Sequence, residues 1–282
     1  MRQPILIPTV IACGLVLSAC AKKEEEAVER AFQEVNVIDE TNLNDVMLSS
    51  ANPNEAVTYF QRATSENPDR ADLQRGLAIS LTRAKRNTEA VAAWSKLNSM
   101  SGTTVQDKVN MADALVRNGE WKRAEEVLNS IPPTLETYER YRLEAIVADA
   151  KKDWKRADTF YETAIGLTTR PAGVMNNWGY SKLTRGQYAE AEKLFTEAIR
   201  QDGSLYTAKN NLVLARSAQG NYSMPVIPMS QVERAQLLNT MAISAVKQGD
   251  VSTAKNLFRD AIETHPQYFE EAVRSLAALE ET

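Results

Sequence analysis

The 282-residue chain has one histidine, His265, and two cysteines, Cys13 and Cys20. Cys and His together cannot fill a tetrahedral zinc shell, so most metal chemistry is excluded unless several carboxylates contribute. Nor is there an excess of base: 33 Lys and Arg face 37 Asp and Glu, a formal charge of −4. A nucleic-acid scaffold would show a basic stripe, and none is present. Glycine-rich phosphate loops, paired metal-ligand spacings and nucleophile motifs with partners are also missing. No enzyme, cofactor or small-molecule substrate is indicated. With 43% apolar and 25% charged residues, the composition is that of a folded protein rather than a disordered chain.

The N-terminus is the first informative feature. Arg2 precedes an apolar run from Ile5 to Val16 that is shorter than the roughly 20 residues a spanning helix needs. It has the form of the apolar region of a signal peptide. Leu17-Ser18-Ala19-Cys20 then resembles the bacterial lipobox, in which the cysteine after two small residues is acylated. That resemblance implies removal of residues 1–19, loss of Cys13 and lipidation of Cys20. An ordinary signal peptide cleaved after Ala19, with Cys20 incidental, is the competing reading. In enterobacterial lipoproteins an aspartate at the next position retains the chain in the inner membrane; here it is Ala21. The resemblance therefore implies the inner leaflet of the outer membrane of a Gram-negative bacterium, facing the periplasm, with acyl chains as the membrane contact. Residues 20–36, with Lys22, Lys23 and Glu24 to Glu26, read as a tether.

From residue 37 onward the chain repeats. Ala56, Ala90, Ala124, Ala157 and Ala191 are spaced by 34, 34, 33 and 34 residues; a further 34 reach Pro225 and 29 more reach Ala254. Four residues after these alanines stand Phe60, Trp94, Leu128, Tyr161, Phe195 and Phe258, and three further on Ala63, Leu97, Ile131, Ala164, Ala198 and Ala261. Spacings of 3 and 4 set them on one helical face. About twelve residues earlier come Ala78, Ala112, Ala145, Gly179 and Ala242, with turn signals such as Asn118-Gly119, Lys152-Asp153, Arg185-Gly186, Gln219-Gly220 and Gln248-Gly249 between. Small residues at recurring positions let paired helices approach closely, and the bulky residues fill the gap to the next pair.

This pattern resembles the tetratricopeptide repeat, and Asn176 to Ala198 is its clearest copy. The fold class expected is all-α: a right-handed α-solenoid of about seven helix–turn–helix repeats over 37–282, closed by a capping helix at 267–280. One unit departs from the pattern. Pro225 and Pro228 forbid a regular second helix, so residues 223–230 are expected to be extended. Ser230-Gln231-Val232-Glu233 predicts a capping box that starts a new helix near Gln231 and carries it to about Gln248. Trp94, Trp121, Trp154 and Trp178 fall at repeat-phase apolar positions and are expected in the core.

Lipobox, repeat and Pro-containing break together are similar to the tetratricopeptide lipoproteins of the tight-adherence (Flp) pilus systems. That resemblance implies a pilotin-like assembly factor whose partners are a secretin or other pilus components. A scaffold lipoprotein for outer-membrane protein assembly or polysaccharide export is the alternative, and a periplasmic chaperone or hydrolase accessory a weaker one. Partner capture is expected on the first helices. Asn110, Asn177 and Asn211 share one phase, and Asn176, Asn210 and Asn239 lie one position earlier in theirs. Asparagine is a poor residue inside a helix, and its amide can both donate to and accept from a peptide group. These positions resemble the asparagine ladder with which several tetratricopeptide proteins hold an extended peptide. Pairing with neighbouring helices, or simple exposure to solvent, is the competing reading.

Overall fold

The computed structural model describes residues 43–281, so the lipobox with Cys20, the tether and the first residues of the repeat region lie outside the described residues. Every regular element among the described residues is helical. The described residues divide into two compact units, one up to residue 107 and one from residue 108 onward.

The first unit holds a short helix at 43–49 (α1), α2 (Pro53–Glu66), α3 (Ala71–Arg83) and α4 (Asn87–Asn98). Asn52 caps α2, its side chain accepting from the Asn54 N–H, and Pro53 takes the first helical position, where a missing N–H costs nothing. Phe60 of α2 is buried against Gly76 of α3, where a Cβ would sit 2.3 Å from the ring. Arg83 donates to the carbonyls of Met47, Leu48 and Ala51, satisfying the C-terminus of α1. Trp94 is buried, and its indole N–H reaches the Thr82 hydroxyl at 3.2 Å.

The chain continues through α5 (Val105–Arg117), α6 (Trp121–Asn129), α7 (Tyr138–Ala150), α8 (Trp154–Gly166), α9 (Ala172–Thr184), α10 (Tyr188–Gln201), α11 (Tyr206–Ser217), α12 (Gln231–Lys247), α13 (Val251–Thr264) and α14 (Glu270–Glu280). In the second unit α7 packs on α8, α9 on α10, α10 on α11, and α12 on both α11 and α13. This is a tetratricopeptide-type solenoid, built for the reason the repeat implies. Ala56, Ala90, Ala124, Ala157, Ala191 and Ala254 are all buried, and so are the bulky residues four positions after each.

The turn joining the two helices of a repeat recurs in one form. The chain enters the left-handed region at Lys85 (φ 58°), Gly119, Lys152 (φ 62°), Gly186, Gly220 and Gly249. In each case the next amide reaches back five residues: Arg86 to Leu81, Glu120 to Leu115, Asp153 to Ala148, Gln187 to Lys182, Asn221 to Arg216 and Asp250 to Ala245. These are Schellman endings, which satisfy the last carbonyls of the first helix. After Gly220 the chain makes this turn and then no helix: residues 221–230 run as an extended strap. Tyr222, Met224 and Met229 of the strap pack on the α12–α13 core, and Ile227 on the α10–α11 core. Val226 is fully exposed. At Ser230 both halves of the capping box form, and α12 begins.

Candidate functional site

A groove of about 630 Å³ lies within the second unit, bordered by the N-termini of α6 and α8 and by α7, α9 and α11. Asp149 lines it, and a second carboxylate, Asp158, fixes the neighbouring α8–α9 contact. Asp149 of α7 accepts from the Tyr161 hydroxyl of α8 at 2.9 Å and from the Ser181 hydroxyl of α9 at 2.6 Å, so one side chain joins three helices. Burial pushes the Asp149 carboxyl above its ordinary range despite these bonds. Burial, with the charge of Asp149 beside it, likewise pushes the Tyr161 phenol up.

Asp158 of α8 behaves in the opposite sense. Trp178 and Lys182 of α9 and Arg185 at its C-cap lie 4 and 3 residues apart, on one side of the helix, and all three donate to it. Burial opposes ionisation of Asp158, but these donors outweigh it and hold the carboxyl at about 2. Arg185 also lies over the Trp154 ring, 5.1 Å from its centroid, a cation–π arrangement. The α8–α9 interface is thus fixed by a charged network at one side of the groove.

Four of the six asparagines come together here. Asn176 and Asn177 of α9 and Asn210 and Asn211 of α11 all line the groove. Asn211 donates to the Asn176 amide oxygen at 3.0 Å, and Thr240 of α12 donates to the Asn210 oxygen at 2.9 Å. The Asn176 and Asn210 NH₂ groups and the Asn211 oxygen are left over, and Asn177 has no side-chain partner among the described residues. Asn110 of α5 is not among the lining residues. Asn239 of α12 is buried, 5% exposed, and its amide oxygen lacks a partner among the described residues. Of the six asparagines, the four on the adjacent first helices α9 and α11 line this groove.

The tryptophan expectation needs correction. Trp94 is a core residue, but Trp121 is 40% exposed, and both Trp121 and Trp154 line the groove. Each is the first residue of its helix, directly after the turn, where a side chain projects past the end of the packed face. The recurrence of an aromatic at that place (Trp121, Trp154 and Tyr188) was the available signal. Tyr180 and Tyr206 add two further rings to the lining, each one turn from an asparagine (Asn176 and Asn210) on its own helix. Among the described residues no cluster of metal-ligating side chains occurs, and no helix is long and apolar enough to cross a membrane.

Tetratricopeptide repeat profiles match residues 48–96, 176–223 and 240–268. The chain carries tetratricopeptide repeats. Among solved structures it is similar to a tetratricopeptide repeat protein from Parabacteroides merdae, at 16% identity and a TM-score of 0.54, covering 92% of this chain and 98% of that one. It is also similar to the C-terminal part of a repeat-containing protein from Cytophaga hutchinsonii, at 15% identity and 0.53, covering 83% and 98%. A chain of the APC/C hetero-tetramer Cut9–Hcn1 matches at 14% identity and 0.60, over 84% of this chain and 48% of that one, so this protein spans about half its length. At such identities the likeness is one of fold. No curated protein matches the sequence. Such repeats point to a protein-interaction scaffold, and no catalytic family is among the matches.

Proposed function

We propose that this protein is a non-enzymatic assembly lipoprotein of the bacterial envelope that holds an extended segment of a partner protein in the groove of its second unit. The observation that carries the reading is the set of four asparagines on α9 and α11, whose unspent amide groups line an open groove together with aromatic side chains. Amides of this kind can bind a peptide main chain without reading its side chains. On the lipobox resemblance, acyl chains on Cys20 hold the protein on the inner leaflet of the outer membrane, facing the periplasm. On the same resemblance the machine it serves is a tight-adherence pilus system, with a secretin or another pilus component as partner. The alternative is a machine for outer-membrane protein assembly or polysaccharide export.

Replacing Asn177 and Asn211 together by Ala should reduce co-purification of the partner from envelope extracts by roughly tenfold, since buried amide groups facing the segment lose their bonds. Loss of the Asn211–Asn176 bond should cost only about 1 kcal/mol of stability. Undiminished capture would sink the ladder reading. A captured secretin or pilus subunit supports the pilus system, whereas barrel-assembly or export components support the alternative.

Cys20→Ser should move the protein from the membrane to the soluble fraction, because each buried acyl methylene contributes about 0.8 kcal/mol to anchoring. Sedimentation of this variant with outer membrane after a salt wash would overturn the lipid anchor or reveal a tight protein tether.

A further inference from the structure

We propose that the groove selects partner segments carrying a lysine or arginine, whose cation is received by Asp149 and flanked by the groove's aromatic rings. This inference rests on the reading of the groove as a peptide site and adds the chemistry of the residue it chooses.

Charge complementarity carries the argument. Of all the side chains that line the groove, Asp149 alone bears a charge. Each of its oxygens accepts one hydrogen bond, from Tyr161 or from Ser181, and each has a further lone pair for a donor. No cation forms an ion pair with Asp149 among the described residues. Arg185, the neighbouring cation, is committed elsewhere: its terminal nitrogens donate to Asp158 at 2.6 and 3.2 Å and to the Ser181 hydroxyl at 2.8 Å. Burial already disfavours the ionised form of Asp149. A neutral segment laid over the groove would strip more water from that carboxylate and return nothing. An acidic segment would add repulsion to the same loss. A guanidinium or ammonium supplies the missing opposite charge.

The aromatic lining suits the same ligand. Trp121, Trp154, Tyr180 and Tyr206 present ring faces or edges to the groove, and Tyr180 is 54% exposed. Arg185 over Trp154 shows that a guanidinium stacks in this setting. The aliphatic stem of Lys or Arg can lie along these rings while its head reaches the carboxylate. The amides of Asn176, Asn177, Asn210 and Asn211 would meanwhile hold the main chain on either side.

The test selects a random-peptide phage library on the full-length protein in detergent, then measures affinities of enriched peptides by fluorescence anisotropy. Enriched peptides should contain Lys or Arg, and replacing that residue by Gln should weaken binding roughly tenfold or more, as loss of a desolvated charge pair does. Asp149→Asn should erase the difference between each parent peptide and its Gln version, while Asn177→Ala weakens both alike. If Asp149→Asn disturbs the circular dichroism spectrum, Tyr180→Ala and ionic strength decide instead. Both should weaken the basic peptide, and insensitivity to both overturns the proposal. Asn177-dependent peptides without a basic residue would overturn the cation preference and leave the peptide groove standing. Failure to find any Asn177-dependent peptide would overturn both.

Discussion

Phe195→Ala is expected to lower the unfolding free energy by about 3–5 kcal/mol, the cost of emptying a fully buried aromatic site. Phe195 of α10 lies against Gly179 of α9, where a Cβ would stand 2.6 Å from the nearest ring carbon. Ring and glycine are complementary, so the same contact can be broken from the other side. Gly179→Leu should cost about 1–3 kcal/mol by overpacking. Pairing Gly179→Ala with Phe195→Leu should recover part of the loss, because the smaller side chain vacates the space the new methyl needs. Urea unfolding followed by circular dichroism measures all of these, with exposed Lys193→Ala of α10 as the control. A midpoint for Phe195→Ala equal to that of the control would mean α9 and α10 do not pack in this register.

The second large effect is electrostatic. Lys209 of α11 is only 3% exposed and meets Glu233 of α12 at 3.0 Å. The other Glu233 oxygen accepts from the Ser230 N–H, so one carboxylate serves both the helix start and the buried cation. Removing one partner of a buried pair typically costs about 3–5 kcal/mol. Because Glu233 is 24% exposed, Glu233→Gln should cost about 2–3 kcal/mol after allowance for solvent screening. Adding Lys209→Met should restore most of the loss, since the buried charge that lacked a partner is then gone. Thermal melts of the single and double variants check this, and a double variant no better than the single would refute the pairing argument. The hydrogen bonds from Ser230 and Lys209 hold the Glu233 carboxyl below its ordinary range. Its contribution is therefore present above the unfolded-state value and fades as pH falls through the lowered folded value. The gap between wild type and Glu233→Gln should shrink with acidification.

Periodicity carried the fold well, because the alanines that set the 34-residue spacing are the residues on which helices cross. A position with no room for a larger side chain leaves a regular trace in the chain. The strap was equally legible, since two prolines three apart act locally and need no knowledge of neighbours. The groove was legible only in part. Helical phase put six asparagines on comparable faces, but whether a face stays open depends on the helix packed beside it. Asn239 is buried, while Asn177 borders the groove. Trp121 and Trp154 misled for a related reason: they share the repeat's phase but stand at helix starts, where that phase stops implying burial. Asp149 gave no signal at all, being one of many acidic residues along the helices until Tyr161 and Ser181 are brought to it from α8 and α9.

Residues 221–230 also bear on how such a chain can change its length over evolutionary time. Within a helix, gaining or losing one residue rotates everything after it by about 100° and moves buried side chains to the surface. An extended strap has no such angular memory. A residue added or lost between Asn221 and Ser230 rotates no helix, because the capping box starts α12 afresh and sets its own phase. It is here that the spacing of the repeat falls from 34 to 29. The strap is the place where the ancestral count could slip without disturbing the helices on either side.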